Sequence, residues 1–163
     1  MKTLAILFSH GSIQVRILSL ATSGILFVLG MIADPGEEVL VFEPFYTNYN
    51  GFSALLGVRT VPVTTRAEDG YHLPPREEIE ARITDRTRAI LLCSPNNPTG
   101  TVYGEDELQM LVDIGRDRDL FLVADEVYRE FAYDGRRHRS ILSFPELGDH
   151  AIVVDSLSKR LSV

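Results

Sequence analysis

An α/β domain, with helices on both faces of a mostly parallel sheet, is the fold class that this sequence predicts. Short apolar runs alternate along the chain with amphipathic segments of helical period. The runs are continuous rather than alternating, so each strand is expected to be covered on both faces, as in a parallel sheet. Polar segments follow three of the runs at intervals of about one strand–helix–strand unit. Together these give a single three-layer α-β-α sandwich, with six strands joined by right-handed crossovers.

The elements follow in order. Residues 17–22 read as the first strand and 25–33 as the helix after it. Asp34-Pro35-Gly36 makes a turn, and 38–42 is the next strand. Residues 46–56 read as a helix ended by Gly57, with a short strand at 59–63. The stretch 64–75, rich in Gly, Pro and charge, is loop. A helix starts near Pro75, where proline suits the first turn, and spaces Ile79 and Ile83 four apart. Residues 89–93 form a buried strand. Leu108, Leu111 and Val112 share one face of a helix over 105–118. Two more apolar strands follow, at 120–124 and 152–154.

The 163 residues are 45% hydrophobic and 24% charged, enough for one domain with a real core. A net charge of −7 argues against nucleic acid or an anionic membrane as partner. The single cysteine, Cys93, excludes an intrachain disulfide framework and fits a reducing, cytoplasmic setting. The four histidines (His10, His72, His138, His150) show no metal-ligand spacing, so no metal site is expected. Lys2 and the apolar residues 4–8 imitate a signal peptide only faintly, for no small-residue cleavage pattern follows cleanly. The uncharged stretch 17–33 is broken by Ser19, Thr22, Ser23, Gly24 and Gly30 and reads as strand–turn–helix, not as a membrane span.

Ligands of such sheets collect beyond the carboxyl ends of the strands. Three of those positions carry unusual chemistry. After 89–93 comes Ser94-Pro95-Asn96-Asn97-Pro98-Thr99-Gly100; after 120–124 comes Asp125-Glu126-Val127-Tyr128; after 152–154 comes Asp155-Ser156-Leu157-Ser158-Lys159-Arg160. Asn97 to Asp125 is 28 residues and Asp125 to Lys159 is 34, so all three loops leave one edge of one sheet. Taken singly, each has an ordinary explanation. Lys159 could be a solvated surface lysine, Asp125 a helix cap, Asn97 a turn residue and Tyr128 a half-buried aromatic.

In this order, the three segments resemble the class I/II, aspartate aminotransferase-like aminotransferases of fold type I. The Asp34-Pro35-Gly36-Glu37-Glu38-Val39-Leu40, Pro44-Phe45-Tyr46-Thr47-Asn48-Tyr49 and Asp69-Gly70-Tyr71-His72-Leu73 stretches match as well. The resemblance runs from about residue 17 to 163 and implies pyridoxal 5′-phosphate as cofactor. By that resemblance Lys159 is the Schiff-base lysine and proton shuttle, and Asp125 pairs with the pyridine nitrogen. Asn97 and Tyr128 donate to the phenolic oxygen, Ser156 binds phosphate, and Tyr46 stacks on the ring. The implied substrates are an amino acid and a 2-oxo acid, and the implied assembly is a homodimer.

Departures from the family pattern set further expectations. Thr22-Ser23-Gly24 runs straight into Ile25-Leu26-Phe27, with about four small or polar residues missing where the phosphate cup belongs. The chain reads as a partial large domain, with the last strand and the small domain absent and the residues before 17 absent or degraded. The first strand is then expected to lack its normal neighbour, leaving extra sheet edge exposed. Two other readings stand beside the aminotransferase: a truncated, non-catalytic remnant, and a C–S lyase of the same fold.

Overall fold

The computed structural model describes residues 5–9, 12–18, 21–156 and Lys159, with side-chain surroundings from Ser23 onward. Seven strands form one sheet: β1 (Ala5–Ser9), β2 (Ser12–Leu18), β3 (Glu38–Glu43), β4 (Arg59–Thr64), β5 (Thr87–Cys93), β6 (Phe121–Asp125) and β7 (Ala151–Asp155). Their spatial order is β1-β2-β7-β6-β5-β3-β4. Every neighbouring pair is parallel except β1 with β2. The helices are α1 (Ala21–Ile32), α2 (Asn48–Leu56), α3 (Arg76–Glu80) and α4 (Glu105–Arg118).

The continuous apolar strands do what their composition requires. Leu40, Phe42, Ile90, Leu92, Leu122, Ala124 and Val153 face one side, where they pack with Leu108, Leu111, Val112 and Ile114 of α4. Val39, Val41, Ala89, Leu91, Val123, Ile152 and Val154 face the other, against Ile25, Val28 and Leu29 of α1 and Tyr49 of α2. Alternate residues of the same strands therefore feed two cores, and the three-layer sandwich follows.

Local signals place the element ends. Gly57 closes α2 in the left-handed region (φ 69°), its N–H reaching the carbonyls of Ala54 and Ser53. A Cβ there would also sit 3.2 Å from the Pro35 Cβ. At the start of α4, the Gly104 N–H donates to Glu107 Oε2 (2.7 Å). The same carboxylate accepts from the Leu73 N–H (2.8 Å) and contacts His72 Nδ1 (2.9 Å), so it also ties down the loop before α3. At the outer edge, β4 accommodates Pro62. Arg59 and Thr65 both turn their N–H groups to β3, so position 62, of opposite parity, turns its nitrogen outward.

Several expectations need correction. The first strand of the reading, 17–22, is displaced: β2 ends at Leu18, while Ala21 and Thr22 already belong to α1. Segment 12–18 alternates polar and apolar residues, unlike the continuous apolar runs at 89–93 and 152–154. Thr22-Ser23-Gly24 lies in the first turn of α1, not in a loop before it. The described residues hold seven strands, not six, because β1 pairs antiparallel with β2. The expected extra sheet edge does not appear among the described strands, because β2 takes a different neighbour: it lies directly beside β7, with Val15 opposite Ile152 and Leu18 opposite Asp155. α3 is one short helix with Pro75 at its N-cap; Ile83 packs on the core from beyond its end.

Candidate active site

The carboxyl ends of β5, β6 and β7 lie side by side, with Cys93 opposite Asp125 and Asp125 opposite Val154. Backbone pairing continues past them, for Ser94 donates to the Asp125 carbonyl (3.2 Å) and Glu126 to that of Val154 (2.9 Å). The loops bearing Asn97, Tyr128 and Ser156 thus start from one stiff edge.

Asp125 ends β6 and is 4% exposed. Its Oδ2 accepts from the Tyr49 hydroxyl at 2.7 Å and its Oδ1 from the Val127 N–H at 3.3 Å. Burial pushes its pKa up to about 6, against the lowering effect of these two donors. Burial also pushes the Tyr49 phenol well above its ordinary range, so Tyr49 stays a donor at neutral pH. Tyr46 meets Tyr49 edge-on (centroids 5.6 Å apart, planes at 88°), and Phe45 stacks on its other side at 6.2 Å. The buried Cys93 thiol is likewise pushed upward and has little thiolate character.

Asn97 and Tyr128, both half-buried, line one cavity of about 270 Å³ together with Pro95, Pro98, Phe131 and Tyr133. The Asn97 loop is pinned internally, with Asn96 N–H on the Thr101 carbonyl (2.8 Å) and Gly100 N–H on that of Asn96 (2.9 Å). Thr101 Oγ1 donates outward to the Gly70 carbonyl (2.9 Å). Gly100 makes the turn at a φ of 75°, which only glycine adopts freely. Ser156 is buried just after β7, its N–H donating to Asp155 Oδ1 at 2.7 Å. Lys159 is helical and exposed. Leu157, Ser158 and Arg160, which complete the motif in sequence, lie outside the described residues.

The structure brings Asn97 and Tyr128 to one cavity and joins Tyr46 to Asp125 through Tyr49. Tyr49 is the residue that sequence reasoning missed. Its signal is faint: a second tyrosine three positions after Tyr46, on a helix face turned to the sheet. The donor set has a recognisable chemistry. A buried carboxylate, an amide and a phenol at the cavity wall, and an amine three residues after a serine in the sequence suit an aromatic nitrogen heterocycle that also carries an aldehyde and an anionic arm.

Comparison with known proteins fixes the lineage. The family model for aminotransferase class I and II matches residues 4–163. The chain belongs to the class I and II aminotransferases. The match begins at residue 4, so the family likeness extends further toward the N-terminus than the expected start near 17. The chain is 38% identical over 146 residues to an arginine–pyruvate transaminase of Pseudomonas aeruginosa, covering 90% of itself and 37% of that relative. It is 34% identical to an aspartate aminotransferase of Sulfolobus acidocaldarius, over 82% of this chain and 33% of the relative. Among solved structures it superposes on an aromatic aminotransferase of Pyrococcus horikoshii with a TM-score of 0.83 and 35% identity, covering 88% of this chain and 38% of that one. The chain thus spans about a third of the length of the aminotransferases it matches. Among the described residues no helix is long and apolar enough to cross a membrane, and no group of three or more His, Cys, Asp and Glu side chains could hold a metal.

Proposed function

We propose that this chain is the cofactor-holding part of a pyridoxal-phosphate-dependent aminotransferase that moves an amino group between an amino acid and a 2-oxo acid. The observation that carries the reading is Asp125: a buried strand-end carboxylate whose described partners are a phenol and a backbone amide, not a cation. Such an acid suits a protonated ring nitrogen. When bound, pyridoxal phosphate supplies the electron sink for the pair released as the substrate Cα–H bond breaks.

The residues then divide the work. Asp125 would hold the proton on the ring nitrogen, with Tyr49 keeping the carboxylate oriented. Asn97 and Tyr128 would donate to the phenolic oxygen, Tyr46 would cover a ring face, and Ser156 would bind the phosphate. Lys159 would anchor the aldehyde carbon through its ε-amine and afterwards hold and move the Cα proton. The aromatic bodies would exclude water from the reacting atoms. The reading includes a homodimer, as the family resemblance implies, and a cytoplasmic setting, which the single cysteine fits.

Titrating the chain with pyridoxal phosphate tests this directly. A near-visible absorption band is expected, and Lys159→Ala is expected to abolish it. No band in the wild-type chain, or an unchanged one in the variant, would overturn the assignment.

A further inference from the structure

The Tyr128 and Ser156 turns leave neighbouring strands, and one ion pair crosses between them. Arg129, immediately after Tyr128, places Nη1 3.2 Å from Asp155 Oδ2. Asp155 ends β7, and its side chain is 7% exposed against 34% for Arg129. Its other oxygen, Oδ1, accepts the Ser156 N–H at 2.7 Å. One carboxylate therefore holds the turn of one strand while capping the first amide of the next. The Tyr128 turn is closed on itself by the Arg129 N–H on the Glu126 carbonyl (3.0 Å). On its other flank, Glu126 Oε1 accepts the Ile141 N–H (3.0 Å), while on the β7 side Asp155 adds a side-chain anchor to the bond from the Glu126 N–H to the Val154 carbonyl (2.9 Å).

We infer that Arg129 and Asp155 are positioning residues: their pair sets the Tyr128 turn and Ser156, at the end of β7, at a fixed separation. The inference rests on the cofactor reading above. Arg129 is a third exposed, which limits what the pair adds to global stability, although Asp155 itself is buried. The effect of the pair falls instead on geometry, because groups that must meet one ligand from two strands lose affinity when their separation drifts. Asp155 also has the right shape for the task. Asparagine in its place retains an oxygen for the Ser156 amide but loses the charge that draws Arg129.

The test uses the full chain and pyridoxal phosphate itself, with affinity read from the absorption band and stability from melting without cofactor. Arg129→Gln and Asp155→Asn are each expected to weaken binding by about tenfold, in the range seen for groups that orient a site's direct ligands. The double variant should be no weaker than either single one, and Arg129→Lys should recover most of the loss. Arg129→Gln should lower the melting temperature without cofactor modestly, since it leaves the buried Asp155 carboxylate without its cation, while Asp155→Asn should keep it close to the wild-type value. Wild-type affinity in both single variants, with the band still lost in Lys159→Ala, would overturn the link and leave the cofactor assignment standing. Losses that multiply in the double variant would also overturn it, since the two residues would then act separately. A wild-type chain that gives no band would overturn both.

Discussion

At the scale of single residues, Asp125 combines burial with a hydroxyl partner and so responds to pH in a defined direction. Its pKa is raised from 3.8 to about 6, so between these values the folded chain binds the extra proton. Its contribution to stability is therefore fully present below pH 4, falls as pH rises through 6, and then levels off. A rise of this size corresponds to roughly 3 kcal/mol. Urea denaturation at pH 4 and pH 7 should show this fall in the wild-type chain and not in Asp125→Asn. Cofactor binding should run the other way, weakening as pH drops through about 6 and Asp125 loses the charge that faces the ring nitrogen. Tyr49→Phe removes the hydroxyl and is expected to cost about 1–2 kcal/mol at pH 7, because it strips a buried carboxylate of a donor. Denaturant midpoints would show it. Asp125, Asn97 and Tyr128 were legible in the sequence because each follows an apolar run, where the chemistry of such sheets gathers. Tyr49 was not, because its partner lies 76 residues away and only the packing of α2 on the sheet brings them together.

At the scale of elements, a few side chains do the joining. Glu107 serves the first turn of α4 and the loop before α3 at once, so Glu107→Ala should cost about 2–3 kcal/mol by leaving these donors unpaired. A shift of the denaturation midpoint with an unchanged slope is the expected signature. Gly57→Ala should cost about 1–2 kcal/mol, since the new Cβ meets a left-handed backbone and the Pro35 ring together. α4 could be read to its last residue because charge and apolar period agree over fourteen residues. The β1–β2 pair could not. Its second strand alternates polar and apolar residues, whereas β3, β5, β6 and β7 have continuous apolar stretches.

At the scale of the whole molecule, the three layers were legible, but the order in which the N-terminal strands join the sheet was not. That order depends on which strand takes the place beside β7, and local sequence does not encode it. The layer of α1 and α2 also presents apolar surface. α1 carries no charged residue, and Phe27 and Met31, one helical turn apart, are 56% and 62% exposed. Replacing both with serine should reduce concentration-dependent association, as read by sedimentation velocity, without lowering the affinity for pyridoxal phosphate. Unchanged sedimentation would show that this face takes no part.

The outward-turned nitrogen of Pro62 gives the sheet a polarity of another kind. A strand arriving alongside β4 would find a donor missing midway and a pyrrolidine ring standing in its path. Pairing by a neighbouring chain is thereby disfavoured at the β4 edge. Among the described strands, the blunted edge is the one nearer the crossover that carries Asn97.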